Sequence, residues 1–274
     1  MILQENLILT GNWLFRWRSY IPLIMITIYI PALNDYEFFY SKREYTTYWG
    51  IFSLIISMIG LLIRIIVAGY TPQNTSGKNT KEQVADVLNT KGLYSMVRHP
   101  LYLGNYFMGL GVSLFLFIWW LPLIYTLSFA LYYERIMLAE EDFLRKKFGE
   151  DMETWAKDTP GFFPNFSKWQ SSKIKFSYIK VLRSEYSSFF ALIFSFTLLD
   201  LFGNYMILNK IFVVPIWSFL FCFSFAIYFI PEKMYHKLDR FRFRKYFFKK
   251  FSKPLKKAIF KFGLFLKLNI YKLY

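Results

Sequence analysis

Apolar residues in this chain come in long blocks separated by polar and basic stretches. A membrane-crossing helix needs about 20 mostly apolar residues. The blocks predict helices at roughly 14–33, 48–68, 101–118, 121–139, 187–208 and 211–230. Pro22 lies near the start of the first and Pro31 near its end. The links after the third and fifth helices are very short, with a turn around Trp119–Pro122 in the first case, which predicts two antiparallel hairpins. A short helix is expected at 81–89, capped by Asn79 or Thr80. The pattern gives an all-α fold, a polytopic integral membrane helical bundle of about six transmembrane helices. It divides into N-terminal transmembrane helices at 1–70, a hairpin with polar flanks at 71–166, a C-terminal hairpin at 167–232 and a basic tail at 233–274.

Charge orients this bundle. With both termini cytoplasmic, thirty of the 34 Lys and Arg residues fall on the cytoplasmic side, as the positive-inside rule requires. The net charge of +16 is therefore explained by cytoplasmic loops and an anionic lipid surface, without nucleic acid. In the tail, Lys and Arg interleave with Phe, as in Phe241–Lys245 and Phe247–Lys250. Directly after a membrane helix, this reads as an amphipathic helix on anionic lipids of the inner leaflet, in preference to a nucleic-acid site. The single cysteine, Cys222, excludes a disulfide framework, and two histidines, His99 and His236, exclude a multi-histidine metal site. No cleaved signal-peptide pattern follows the first apolar run.

The chemistry concentrates between Thr90 and Phe166. Pro100 suits the first turn of the third helix, so Arg98 and His99 lie just outside it. Glu134, Arg135, Glu140 and Glu141 lie where the fourth helix leaves the apolar region. Antiparallel packing makes these two ends neighbours, and Arg98 and His99 then face the acidic cluster. Plainer readings exist for each residue. Arg98 and His99 suit a cytoplasmic boundary for topology alone. Glu140 and Glu141 suit pairing with Arg145 and Lys146 on a solvated face. Tyr94 and Tyr102 suit an interfacial aromatic belt. Arg64 either lines a cavity or reaches back to the interface.

The segment resembles the membrane methyltransferases of the isoprenylcysteine carboxyl methyltransferase and phospholipid methyltransferase superfamily. Gly92, Tyr94, Arg98, His99, Pro100, Tyr102 and Gly104 match its first signature; Glu134, Arg135, Glu140, Glu141, Leu144, Phe148 and Gly149 match its second. Trp155 departs from the family, which often has Tyr there. The resemblance makes 71–166 a methyltransferase core and implies S-adenosylmethionine as cofactor. Tyr94, His99, Tyr102, Leu103 and Gly104 would line its pocket. Glu140 and Glu141 would offer a carboxylate to its ammonium or ribose. Phe162, Phe163 and Pro164 would close over the adenine. Arg98 would clamp an acidic acceptor with its planar fork, and Glu141 would serve as base for an amine acceptor.

The run Leu88–Ser95 and the polar linker 71–80 are similar to bacterial members proposed to methylate the phosphate of lipid A. That implies a membrane lipid substrate and the bacterial inner membrane, with the site facing the cytoplasm. Phospholipid amines and isoprenylated carboxylates stay open as acceptors. Membrane sterol-type reductases share a similar C-terminal signature and would bind NADPH instead. A channel or transporter would need polar residues along helix interiors, and apart from Arg64 and Asp200 these are scarce.

Overall fold

The computed structural model describes residues 3–18, 20, 24, 26–39, 42–72 and 83–229. Residues 73–80 of the polar linker and the basic tail at 233–274 lie outside them. Every regular element among the described residues is a helix. These are α1 (Leu3–Trp17), α2 (Tyr29–Asn34, after a 3-10 turn at Ile26–Ile28), α3 (Arg43–Tyr70), α4 (Pro100–Leu114), α5 (Trp120–Phe148), α6 (Glu150–Asp158), α7 (Tyr178–Leu208) and α8 (Pro215–Phe229). Met1–Phe225 forms one compact unit. Ala226–Tyr274 forms a second, whose described residues are the last turn of α8.

Among the described residues, α3 and α7 are long and apolar enough to cross a membrane. At 1.5 Å per residue α3 is about 42 Å long, more than a hydrocarbon core requires. Both helices turn large apolar side chains outward. Phe52, Ile55, Ile59 and Leu62 form one exposed stripe of α3, which in water would be an unusually large apolar surface and in lipid is satisfied.

Two expected elements are different. The helix expected over 14–33 is broken among the described residues: α1 ends at Trp17, Arg18 and Tyr20 lie in turns, and a 3-10 turn at Ile26–Ile28 leads into α2. A helix running through Pro22 would lose a backbone hydrogen bond and strain the residue before it. Helix α1 instead uses residues upstream of that block. The helix expected at 81–89 is also missing over its described part, 83–89. Every residue from Gln83 to Asn89 except Asp86 lines one cavity, which a helix, presenting a single face, could not do.

The bundle is built on close backbone contacts. Gly50, Ser53, Ser57 and Gly60 are buried on one face of α3. Small residues at this spacing let helices approach in an apolar medium, where hydrophobicity itself gives no drive. A Cβ at Gly60 would lie 2.4 Å from the Gly104 carbonyl of α4, and one at Gly111 would lie 2.2 Å from Ser57 Oγ. Ser57 donates to the Met108 carbonyl (2.8 Å) and Trp49 Nε1 to the Leu114 carbonyl (2.6 Å). Both short-linked pairs are antiparallel. Tyr106 meets Phe129 and Tyr102 meets Tyr133 across α4 and α5; Phe194 meets Phe221 and Phe196 meets Trp217 across α7 and α8.

One apolar core joins α2, the end of α4, α7 and α8 around Phe115, Phe196 and Trp217. A second packs Phe15 of α1 with Tyr102, Phe129 and Ile136. The site lies at the opposite end of α4 from the first core.

Candidate active site

Pro100 occupies the first position of α4, with His99 capping it, as expected from proline's fixed φ and missing N–H. The residues before α4 are tied to the chain that follows α6. Arg98 N–H donates to the Pro160 carbonyl (2.8 Å), His99 N–H to Gly161 (3.2 Å), and Asn165 N–H to Met96 (2.9 Å). Trp155 Nε1 donates to the Tyr94 carbonyl at 3.1 Å. Gly149, at φ 53°, turns the chain from α5 into α6, a conformation that favours glycine. That turn lets α6 fold back beside the Arg98 segment.

This lacing gathers the charged residues. Glu141 Oε1 accepts from Arg98 Nε (2.8 Å) and lies 2.9 Å from His99 Nε2. Glu140 Oε2 lies 3.6 Å from His99 Nδ1. The Tyr102 hydroxyl donates to Glu140 Oε1 at 2.5 Å, and its ring stacks on His99. His99 is thus buried between two carboxylates. Burial alone would lower its pKa, but hydrogen bonds and charge from Glu140 and Glu141 outweigh that and raise it. Burial would raise the pKa of Glu141, yet His99 and Arg98 together lower it. Burial, with the nearby Glu140 charge, pushes the Tyr94 hydroxyl up, so it stays a neutral phenol.

A cavity of about 630 Å³ opens against this cluster. Of the residues singled out in the sequence, Tyr94, Arg98, His99, Tyr102 and Glu140 are on its walls. Glu141 stands behind them, holding His99 and Arg98. Arg98 is already engaged: besides Glu141 its Nη1 donates to the carbonyls of Ala156 (2.8 Å) and Thr159 (3.1 Å), at the end of α6. Leu103 is buried away from the cavity, and Gly104 faces helix packing instead. A Cβ at Gly104 would lie 2.7 Å from Arg64 Cγ and 2.8 Å from the Gly60 carbonyl, so the close approach it permits is between helices. Phe162 packs into the second core and Phe163 is 81% exposed. Neither they nor Pro164 line the cavity.

The opposite wall holds Arg64, for which the sequence left open a cavity wall or the interface, and residues that the sequence did not assign to the site. Arg64 of α3 grips Glu185 of α7 with two nitrogens, Nε–Oε2 at 2.8 Å and Nη2–Oε1 at 3.1 Å. Arg64 Nη1 also donates to Asn105 Oδ1, and Asn105 Nδ2 donates to the Tyr133 hydroxyl at 3.2 Å. Lys180, tied to the Thr71 and Pro72 carbonyls, and Arg18, 3.9 Å from Glu140, complete the charged lining. Glu185 was missed because the apolar block begins at 187, whereas α7 begins at Tyr178. The signal that could have found it is Arg64, since a charge in a membrane helix implies a partner.

The phospholipid methyltransferase family profile matches residues 51–151. The nickel-cobalt-cadmium resistance protein NccN of Alcaligenes xylosoxydans xylosoxydans is 32% identical over 163 residues, covering 60% of this chain and 70% of that protein. The cobalt-zinc-cadmium resistance protein CzcN of Cupriavidus metallidurans is 28% identical over 159 residues, covering 58% and 69%. No solved structure matches the chain.

Proposed function

The chain belongs to the isoprenylcysteine/phospholipid methyltransferase superfamily, and from that premise we propose that it transfers a methyl group from S-adenosylmethionine to an anionic oxygen of a membrane lipid headgroup. A lipid phosphate, such as that of lipid A, is the leading acceptor. The observation that carries the reading is the joining of Tyr94, His99, Tyr102 and Glu140 on one wall of a single cavity. Its volume falls within the roughly 300–1,000 Å³ of ordinary cofactor and ligand pockets.

The residues present fit the cofactor's chemistry. Glu140 offers a carboxylate to an ammonium, and Tyr94, Tyr102 and Trp155 offer aromatic surface to a cation and a flat base. When bound, the cofactor supplies a methyl on a sulfonium. The chain's own residues then position and dehydrate. Tyr102 fixes the Glu140 carboxylate through its hydroxyl. Glu141 orients His99 and Arg98, and Arg98 in turn fastens the end of α6 to the site. An anionic oxygen needs no base at neutral pH, only alignment and removal from water. The wall carries four cationic side chains, Arg18, Arg64, Arg98 and Lys180, against the carboxylates Glu140 and Glu185, which favours an anionic headgroup over an amine.

The basic loops and tail favour a site on the cytoplasmic side of a bacterial inner membrane, with anionic lipids as partners of the tail. The metal-resistance names of the two relatives suggest a physiological role. Methylating a headgroup phosphate removes a negative charge and weakens a hard oxygen ligand for divalent cations at the membrane surface.

Thermal shift of the purified chain with S-adenosylhomocysteine and with NADPH tests the reaction class. Stabilisation by S-adenosylhomocysteine is expected; stabilisation by NADPH alone would point to the reductase chemistry instead. Recovery of label from methyl-tritiated cofactor in the lipid fraction, retained through mild base that hydrolyses carboxyl methyl esters, together with a methyl resonance coupled to phosphorus in the NMR spectrum of the isolated product, identifies the acceptor atom.

A further inference from the structure

We infer that the Arg64–Glu185 pair is the headgroup subsite of the cavity, where an oxyanion of an anionic lipid replaces the Glu185 carboxylate in the Arg64 fork. The inference rests on reading the cavity as a lipid methyltransferase site. It concerns residues on the wall opposite the His99 cluster, one of them beyond the matched stretch 51–151.

The pair is a poor staple for helices. Buried ion pairs contribute little net stability, and an apolar pair of similar volume holds helices at least as well. Arg64 lies within an otherwise apolar candidate span, where a charge is costly. Helices α3 and α7 are joined elsewhere: Ser177 N–H donates to the Gly69 carbonyl at 3.0 Å, and Phe176 packs on Gly69. The pair lies on the cavity wall, with the Arg64 side chain 20% exposed and Glu185 6%.

The geometry is that of ligand recognition. Two guanidinium nitrogens hold two oxygens of one carboxylate, the hold that a phosphate or an external carboxylate takes. Glu185 therefore stands where an anionic ligand would. Ser188 Oγ lies 3.5 Å from Arg64 Nη2, and Ser184 and Ser187 line the cavity, so α7 supplies hydroxyls beside Glu185 for the remaining headgroup oxygens. Arg98 and Lys180 differ in kind. Both donate to backbone carbonyls, and a ligand replaces those only by opening the fold. Exchange at Arg64 swaps one anion for another. Arg64 is also linked to the opposite wall through Asn105 and Tyr133, whose ring lies 4.6 Å from that of Tyr102. A headgroup held there has a fixed placement relative to the Tyr102–Glu140–His99 wall.

The test uses the full chain in nanodiscs containing phosphatidic acid or only phosphatidylcholine, with S-adenosylhomocysteine affinity measured in parallel. Wild type is expected to prefer phosphatidic acid. Glu185→Gln, which removes the internal competitor, should bind phosphatidic acid about fivefold tighter, and Arg64→Lys, which keeps the charge but loses the fork, should bind it about tenfold weaker. Both variants should bind S-adenosylhomocysteine as wild type does, which also reports that they fold. Should Glu185→Gln fail to fold, Glu185→Asp, with a shorter reach to the fork, is expected to shift affinity in the same direction. Unchanged or weaker phosphatidic acid binding in the Glu185 variants, or no wild-type preference for it, would overturn the subsite. Equal competition by inorganic phosphate would overturn the lipid as its source. Absence of S-adenosylhomocysteine binding by wild type would sink the methyltransferase reading alone, leaving the lipid preference to be judged separately.

Discussion

The two walls of the cavity are built on different principles. On the α4–α5 side, a carboxylate pair, an imidazole and a guanidinium come from ends of one short-linked hairpin, and each is held by neighbours close in sequence or laced to it by backbone bonds. On the α3–α7 side, a single ion pair joins residues 121 positions apart. The first wall is rigid because its members satisfy one another and the carbonyls of α6. The second centres on one ion pair that faces the cavity and whose carboxylate an anion can replace. A cofactor common to many reactions suits the rigid wall, whereas an acceptor peculiar to one enzyme suits the exchangeable one.

That contrast breaks most readily at Glu140. Glu140→Ala should weaken S-adenosylhomocysteine binding about 30-fold or more, since it removes a carboxylate from a hydrogen-bonded cluster and leaves the Tyr102 hydroxyl without its acceptor and His99 Nδ1 without its carboxylate; isothermal titration measures it. Retained affinity would move the cofactor off this wall. Arg98→Lys should come next. A lysine cannot reach Glu141 and two α6 carbonyls together, so methyl transfer should fall about tenfold, with increased protease cutting between α6 and α7.

The charge pairing of the rigid wall should appear as a pH effect. His99 has a raised pKa in the folded state, so its contribution to stability is complete below the unfolded value of about 6.5 and is lost as pH rises through the folded value. Glu141, with a lowered pKa, contributes above its unfolded value and loses that as pH falls through the folded one. Glu141→Gln should therefore reduce the melting temperature more at pH 6 than at pH 9. A difference independent of pH would show that the pair is not coupled in this way. The smallest effect is expected at Phe163. It lies off the cavity and is largely exposed, so Phe163→Ala should change S-adenosylhomocysteine affinity less than about twofold. A large loss would restore the aromatic lid that the family resemblance implied.

Much of the rigid wall was legible in the sequence because its cause is local. Pro100 fixes where α4 starts, the short link after it forces an antiparallel return, and Arg98 and His99 must then meet Glu140 and Glu141. The division of labour between the two carboxylates was not legible. Adjacent on a helix, they point about 100° apart, and only the packing of α4 and α6 decides that Glu140 faces the cavity while Glu141 faces Arg98. Gly104 illustrates the same limit. The sequence marks a close backbone approach there, but not that the approaching group is Gly60 of α3. The broken first helix was legible at Pro22, though its apolar flanks masked it.

The sequence by itself determined that the chain is helical and apolar in long blocks, that its cations lie asymmetrically, and that its polar chemistry sits at one end of one hairpin. Those properties follow from hydrophobic period, charge spacing and proline, which act within a few residues. Only the tertiary structure decided that α7 closes the cavity and that Glu185 answers Arg64. That pairing depends on two helices meeting at a chosen register, and register is set by small residues, caps and core packing spread over the whole unit.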